Sequence, residues 1–180
     1  MQKRNKLILL SAIIVVLVVI LDQISKYMIY SSMYPYEVKP IISNFFNIVY
    51  AKNYGSAFSF LNDAPAWFRK PFFIMVPLAA MVLVLYLLKN AMRLGKENIL
   101  QVFAFSLVIG GALGNFLNRL TYGFVIDFLQ FKITNTYYWP SFNVADISIT
   151  VAVTLLFIEM TSVERKKRSD KKKKGSSKKA

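Results

Sequence analysis

Three aspartates, Asp22, Asp127 and Asp146, lie inside or just after long apolar stretches of the chain. An ionisable side chain within a membrane span is costly to bury, so each one requires a partner or a function. Two carboxylates that meet in a poorly hydrated place cannot both ionise cheaply, so the pair holds one proton and titrates as a unit. Such a pair can hydrolyse an amide bond. The anionic carboxylate takes a proton from water, and the protonated one donates to the carbonyl oxygen.

Asp127 and Asp146 are the predicted catalytic pair, because they lie at facing ends of the third and fourth apolar stretches. Asp22 instead has Lys26 four residues later, where the two can pair on one helix face. An internal ion pair and a contact with substrate both remain open for Asp22 and Lys26. Asn143, three residues before Asp146, can share its helix face or cap the helix. Spacing alone also leaves a proton relay or purely structural pairing open for the acids.

The third apolar stretch carries a polar stripe close to these acids. Gly111, Asn115 and Arg119 recur at intervals of four, so a helix brings them to one face. Gly110 and Gly114 form a GxxxG pair, which is typical of close packing between helices. We expect that packing to let a neighbouring backbone approach the polar stripe.

The composition excludes several kinds of catalytic site. The 180 residues include no histidine and no cysteine. A Ser-His dyad, an HExxH zinc site, a cysteine nucleophile, a disulfide and a Cys-ligated cluster are therefore impossible. Any hydrolysis must depend on carboxylates, hydroxyls or lysine, and we expect no metal and no other cofactor.

The chain has the composition of a membrane protein, since 56% of its residues are hydrophobic and only 18% are charged. A bilayer core requires about 20 apolar residues per helix. The first stretch is interpreted as a retained helix, because no small-x-small cleavage motif follows it. The four predicted spans are residues 7–30, 71–88, 99–117 and 144–160.

The distribution of basic residues predicts the orientation. By the positive-inside rule, the basic N-terminus, the connection 89–98 and the basic C-terminus are cytoplasmic, and segments 31–70 and 118–143 face outwards. At about 1.5 Å per residue, Asp22 and Asp146 lie about 24 Å and about 22 Å from the cytoplasmic ends of their helices. In a core of about 30 Å, this places the acids near the outer leaflet.

The predicted fold is an all-α membrane protein of four transmembrane helices with a small extramembrane β-rich platform on the outer side. Residues 45–61 and 128–139 are rich in aromatic and β-branched residues, which predicts short strands there. Residues 1–163 form the membrane body. Residues 164–180 are a basic cytoplasmic tail that we expect to be disordered. Because its charges begin directly after a span, we expect it to bind anionic lipid rather than nucleic acid.

Four blocks of the sequence resemble one family in order and spacing. They are DQISK (22–26), NYGSAF (53–58), GGALGNFLNRLTYGFVIDF (110–128) and FNVAD (142–146). These blocks resemble the bacterial lipoprotein signal peptidases, also called signal peptidase II, a family of intramembrane aspartyl proteases with four transmembrane helices. The resemblance covers the membrane body and leaves out the basic tail, and the third and fourth blocks are its most specific part.

The resemblance implies roles for nine residues. Asp127 and Asp146 match the family's catalytic dyad. The other matching positions line the dyad, support the site or hold substrate, and they are Asn115, Arg119 and Asn143, followed by Asp22, Lys26, Asn53 and Gly111. One departure is visible, because the family commonly has an acid where this chain has Asn118. We therefore expect Asn118→Asp to be tolerated.

The resemblance also implies a substrate and a location. The substrate would be a prolipoprotein whose lipobox cysteine already carries a diacylglyceryl group, cut on the N-terminal side of that cysteine. The protein would lie in the bacterial cytoplasmic membrane with both termini in the cytoplasm and the active site near the outer leaflet. Inhibition by the cyclic peptide globomycin is expected on the same basis.

Two other classes of function are compatible with parts of the sequence. A small transporter could use the three aspartates as a proton relay, but internal repeats with interrupted helices would be expected and none is convincing. A membrane-anchored scaffold could act through the basic tail. Deletion of the tail would distinguish a scaffold from a protease, because a scaffold would lose its function whereas a protease would keep it.

Overall fold

The computed structural model describes residues 2–55, 65–93 and 99–176 of the chain. Four helices and three strands follow one another in the order α1, β1, β2, α2, α3, β3, α4. Their bounds are α1 Gln2–Ser32, β1 Val38–Ile42, β2 Phe46–Asn53, α2 Ala66–Arg93, α3 Ile99–Tyr122, β3 Val125–Phe131 and α4 Val144–Ser176.

All four helices are long and apolar enough to cross a membrane. Helix α3 is the centre of the bundle, since it packs against α1, α2 and α4, and 44% of its span is buried compared with 6% for α2. The other helices expose many large apolar side chains, as expected of surfaces that face lipid. The predicted fold class, four membrane helices with a small sheet, is thereby confirmed.

The three strands form one antiparallel sheet with the order β1, β2, β3. Strand β2 pairs with both neighbours, and the β2–β3 register sets Ala51 opposite Asp127 and Asn53 opposite Val125. Because side chains alternate across a strand, Asn53 and Asp127 extend from the same face of the sheet. The sheet therefore carries one predicted catalytic aspartate and a neighbouring amide on one surface.

A small hydrophobic core attaches the opposite face of the sheet to the C-terminal end of α1. Met33, the residue that follows α1, packs with Tyr50, Phe124 and Ile126, and all four side chains are buried. Burial of such side chains stabilises the contact by about 1.5–3 kcal/mol each. This core fixes the sheet at the end of the bundle where α1 ends and α4 begins.

Three glycines allow α3 to approach its neighbours closely. A Cβ at Gly110 would lie 2.8 Å from the Val18 Cβ of α1, and a Cβ at Gly114 would lie 2.5 Å from Asp22 Oδ2. A Cβ at Gly111 would lie 2.5 Å from the Ala145 carbonyl oxygen of α4. The packing function predicted for the GxxxG pair is present, and Gly111 extends it to the start of α4.

Helices α2 and α3 extend into the predicted outer segments. Helix α3 continues to Tyr122, so residues 118–122 are helical, and α2 already begins at Ala66. Gly123, with φ of 76°, ends α3 by donating its N–H to the Arg119 carbonyl oxygen at 3.0 Å. A glycine in this left-handed conformation is the common way for a helix to end, whereas residues 118–122 have side chains that a helix accepts.

The strands and the tail also differ in part from expectation. Strand β3 starts at Val125, three residues before the predicted segment 128–139, and residues 56–61 of the other predicted segment lie outside the described residues. Helix α4 runs from Val144 to Ser176 and so includes residues 164–176 of the predicted tail. Lysine, arginine and glutamate are good helix formers and extend a helix that has already begun. Residues 177–180 lie outside the described part.

We predict that Gly111→Ala destabilises the protein by about 1–3 kcal/mol, because the added methyl group forces α3 away from the Ala145 backbone. Thermal unfolding in detergent measures the change. Gly123→Asn is the control. None of the described residues lies within 4 Å of a Cβ at that position, and asparagine tolerates its left-handed backbone. An unfolding temperature for Gly111→Ala equal to that of the wild type would show that the helix contact is not tight.

Candidate active site

The site is built around the first turn of α4. Asn143 precedes the helix and accepts a hydrogen bond through Oδ1 from the Asp146 N–H (3.0 Å), while the Asn143 N–H donates to Asp146 Oδ2 (3.2 Å). This reciprocal arrangement is a capping box. The prediction that Asn143 caps the helix is thus confirmed, and the same bonds fix the Asp146 side chain at the end of the bundle near the sheet.

Asp22 extends from α1 to the same helix end. Its Oδ1 accepts a hydrogen bond from the Ala145 N–H at 2.9 Å, so a buried carboxylate satisfies one of the free N–H groups of the first turn. The partial positive charge of a helix N-terminus favours an anion at this place. Asp22 therefore connects α1 directly to the turn that carries Asp146.

Lys26 is buried, with 1% of its surface exposed, and it neutralises Asp22. Its Nζ lies 2.7 Å from Asp22 Oδ2 and donates a second hydrogen bond to Asn115 Oδ1 at 2.8 Å. The predicted ion pair is confirmed. Removal of one partner alone would cost more here than in a surface pair, because it would leave the other charge buried without a counter-ion.

Asn115 of α3 connects this ion pair to Asp146 and to Asn143. Its Nδ2 donates to Asp146 Oδ1 at 2.8 Å, and its Oδ1 accepts from Asn143 Nδ2 at 3.2 Å as well as from Lys26. One amide thus meets α1, α4 and the segment before α4. Substitution of Asn115 would leave several buried polar groups without partners.

Asp127 is buried, with 2% of its surface exposed, and two amides hold its carboxylate. Asn143 Nδ2 donates to Oδ1 at 2.6 Å, and Asn53 Nδ2 donates to Oδ2 at 2.9 Å. Burial, followed by the negative charge of Asp146, raises the pKa of Asp127 to about 7, against the opposing effect of the two amides and Lys26. Asp127 can therefore hold or release a proton near neutral pH.

Arg119 adds a positive charge on α3 within electrostatic reach of Asp127 and Asp146. Its Nε is buried and has no hydrogen-bond partner among the residues that the structure describes. A buried donor without a partner is uncommon and calls for an explanation. The positive charge of the guanidinium can favour the anionic form of both acids, although Arg119 forms no hydrogen bond to either of them.

Within residues 2–55, 65–93 and 99–176, no three or more Asp, Glu, His or Cys side chains are arranged to hold a metal ion. The acids are surrounded by amides and by two cations instead, and Asp146 is only partly buried. The arrangement can keep two carboxyl groups close together and supply a proton near neutral pH. These are the properties required for acid–base hydrolysis by a carboxyl pair.

Comparison with known proteins identifies the family. The profile of the family described as signal peptidase (SPase) II matches residues 14–162. This chain belongs to the signal peptidase II family. It is 41% identical to the lipoprotein signal peptidase of Syntrophus aciditrophicus (strain SB) over 152 residues, which are 84% of this chain and 91% of that protein. The lipoprotein signal peptidase of Alteromonas mediterranea is 44% identical over 141 residues, with coverages of 78% and 74%.

Two solved structures, both described as bacterial membrane enzymes obtained by the in meso method, share the fold. The first superimposes with a TM-score of 0.70 at 34% identity and covers 84% of this chain and 87% of its own. The second has a TM-score of 0.68 at 35% identity, with coverages of 83% and 91%. The recognition of a signal peptidase II and of its membrane fold is therefore confirmed.

The structure of this family member brings all nine predicted site residues to one end of the bundle. Seven of them form a continuous hydrogen-bond network: Asp22, Lys26, Asn53, Asn115, Asp127, Asn143 and Asp146. Gly111 packs against the start of α4, and Arg119 lies near the acids without a hydrogen bond to them. The catalytic and substrate-binding roles of these residues stay predictions.

Two polar residues of the site were not predicted to take part. Gln23 Nε2 donates to Asp22 Oδ2 and to the Gly114 carbonyl oxygen, both at 3.0 Å. Asn118, noted only as a departure from the family pattern, is 1% exposed and bonds Gln23 Oε1 at 3.2 Å. The signal was present in the sequence, because a carboxamide within a membrane span needs a partner just as a charge does.

Lys26→Met is expected to destabilise the protein by about 3–5 kcal/mol, because it leaves the Asp22 carboxylate buried without its counter-ion. The unfolding temperature in detergent micelles checks this. The double variant Asp22→Asn with Lys26→Met removes both charges and keeps an oxygen that can accept the Ala145 N–H. It should recover part of the loss, whereas a double variant less stable than Lys26→Met would contradict the ion-pair account.

Proposed function

We propose that this chain is an intramembrane aspartyl endopeptidase that removes signal peptides from diacylglyceryl-modified prolipoproteins, with Asp127 and Asp146 as its catalytic carboxylates. Family membership supports signal-peptide removal from lipoproteins, and the four apolar helices support a multi-pass membrane protein. The observation that carries the proposal is the position of Asn143. Its side chain donates to Asp127 while its backbone and side chain both bond Asp146.

The two carboxyl groups divide the acid and base functions between them. One is ionised and takes a proton from the attacking water, whose oxygen adds to the peptide carbonyl carbon. The other is protonated and donates to the carbonyl oxygen as negative charge develops there. Collapse of the tetrahedral intermediate breaks the C–N bond, and the proton taken from water passes to the leaving amine. As the new carboxyl group forms, the hydroxyl made from the carbonyl oxygen returns its proton to the carboxylate that supplied it, so the pair is again singly protonated.

The surrounding residues prepare this pair before substrate binds. Asn115, Asn143 and Asn53 fix the directions of the carboxyl oxygens, so no reorientation is required during the reaction. Lys26 and Arg119 offset the negative charge of the site. The free Nε–H of Arg119 is suited to bind a carbonyl oxygen of the substrate backbone. Gly111 keeps α3 close enough to α4 for Asn115 to meet Asp146.

The membrane position of the site follows from charge and helix direction. The N-terminal end of α1 and the C-terminal end of α4 carry the basic residues, and the site lies at the opposite ends of these helices. With the basic ends in the cytoplasm, the site lies near the outer leaflet of the bacterial cytoplasmic membrane. The acyl chains of a lipid-modified cysteine can then stay in hydrocarbon while the bond on its N-terminal side meets the acids.

The same proposal includes two further interactions that follow from the sequence. Anionic lipid at the cytoplasmic surface would attract the basic tail, and a globomycin-type cyclic peptide would compete with substrate. No nucleic acid is involved. A deletion of residues 164–180 that preserves cleavage while weakening binding to vesicles with anionic lipid would separate the tail's role from the activity.

Asp127→Asn and Asp146→Asn should each abolish hydrolysis, a fall of at least about 100-fold, because an amide preserves the shape but cannot cycle a proton. The assay follows cleavage by purified protein of a diacylglyceryl-modified precursor and of its unlipidated counterpart, and only the first should be cut. Glu159→Gln is the matched control, a carboxylate on α4 that bonds Gln101 away from the site. Full turnover by either aspartate variant would remove that residue from the mechanism.

The rate is expected to decline as pH rises through about 7. Below its raised pKa, Asp127 retains the proton that the pair must donate, and above that pKa it loses the proton. The doubly ionised pair then lacks an acid, so the rate falls as pH rises. Initial rates across the neutral range measure this decline. Asn53→Ala should move it to higher pH, since the Asn53 hydrogen bond holds the pKa of Asp127 down. A shift to lower pH, or no decline near neutrality, would contradict the assignment.

A further inference from the structure

The backbone next to Asp127 has an unusual anchor. Strand β3 is at the edge of the sheet, so half of its N–H groups point away from β2 and require other acceptors. Phe128 and Leu129 both donate to the Phe142 carbonyl oxygen, at 3.0 Å and 2.9 Å. The Ile126 N–H instead donates to a side chain, Asn118 Oδ1 of α3, at 3.3 Å. Asn118 therefore holds the peptide group one residue before Asp127.

The orientation of the Asn118 amide is fixed from its other side. Asn118 Nδ2 donates to Gln23 Oε1, and Gln23 Nε2 donates to Asp22 Oδ2 and to the Gly114 carbonyl oxygen. Gln23 cannot turn its amide over without directing an oxygen at these two acceptors. A chain of donors thus runs in one direction, from the Ile126 N–H through Asn118 and Gln23 to Asp22.

We propose that Asn118, oriented by Gln23, is a positioning residue that holds Asp127 in its reactive place. The inference rests on the proposed function and deepens it. Asn118 does not touch the Asp127 carboxylate. It acts through the Ile126 peptide, whereas Asn53 and Asn143 bond the carboxylate itself. The requirement is an oxygen acceptor at position 118, and an aspartate supplies one as an asparagine does.

Asn118→Leu tests the anchor, because leucine has a similar size and no acceptor. The expected result is a kcat lower by about 10- to 100-fold, since a displacement of the reacting group of about 1 Å has that effect. KM should stay within about two-fold of the wild type, because Asn118 is buried beneath the site. Asn118→Asp keeps the acceptor and should retain most of the activity. Gln23→Met should give a smaller loss than Asn118→Leu.

Asn47→Leu is the matched control. Asn47 is also a buried asparagine, and its Nδ2 donates to Gln130 Oε1 of β3 at 3.3 Å. The substitution removes a side-chain amide bond that involves the same strand, but toward its other end. Its unfolding temperature should fall while its kcat stays near that of the wild type. A merely structural role for Asn118 would make the two leucine variants behave alike.

The outcomes are distinguishable from failure of the proposed function. If the wild type cuts the lipidated precursor and Asp127→Asn does not, the proposed function stands. An unchanged kcat for Asn118→Leu, or an equal fall for Asn47→Leu, then overturns only the positioning inference. If Asn118→Leu does not fold, the kcat of Gln23→Met provides the test. A lowered kcat in that variant supports the inference, and an unchanged kcat overturns it. Loss of activity in Asn118→Asp equal to that in Asn118→Leu also contradicts it.

Discussion

The first turn of α4 is the point at which the site depends on the rest of the protein. It must hold Asp146 beside Asp127 in an environment where neither negative charge is well solvated. Asn143 provides the direct connection, and Asp22 ties the same turn to α1 through the Ala145 N–H. A helix N-terminus is suited to this task, because its unpaired N–H groups and its partial positive charge stabilise carboxylates without a metal.

The remaining architecture brings groups to that turn from far apart in the chain. Helix α3 lies at the centre, and its glycines let Asn115 reach α4 while the same helix contacts α1. The sheet is small, but it supplies Asp127 and Asn53 from adjacent strands. The two cations, Lys26 and Arg119, keep the cluster from accumulating uncompensated negative charge. On the proposed mechanism, stability and chemistry depend on the same buried network, and a substitution within it is expected to affect both.

Much of this arrangement could be predicted from local patterns. Spacing of four placed Lys26 on the face of Asp22, and the position of Asn143 indicated a cap, because both relations lie within a single helix turn. The bond from Asp22 to Ala145 could not be predicted, since it joins residues 123 positions apart. The hydrogen bonds through Asn118 and Gln23 could not be predicted either, because they depend on how α1, α3 and the sheet pack together.

The central claim is that Asp127 and Asp146 share one proton, and carboxyl infrared spectroscopy of the purified protein measures it most directly. Below neutral pH, the account predicts a protonated-carboxyl band that is lost in Asp127→Asn, retained in Glu159→Gln, and titrated away in the wild type as pH rises through about 7. In Asp146→Asn the band should titrate away at lower pH than in the wild type, because the negative charge that helps to raise the pKa of Asp127 is gone. A band that persists unchanged in either aspartate variant, or that is absent from the wild type, would contradict the account.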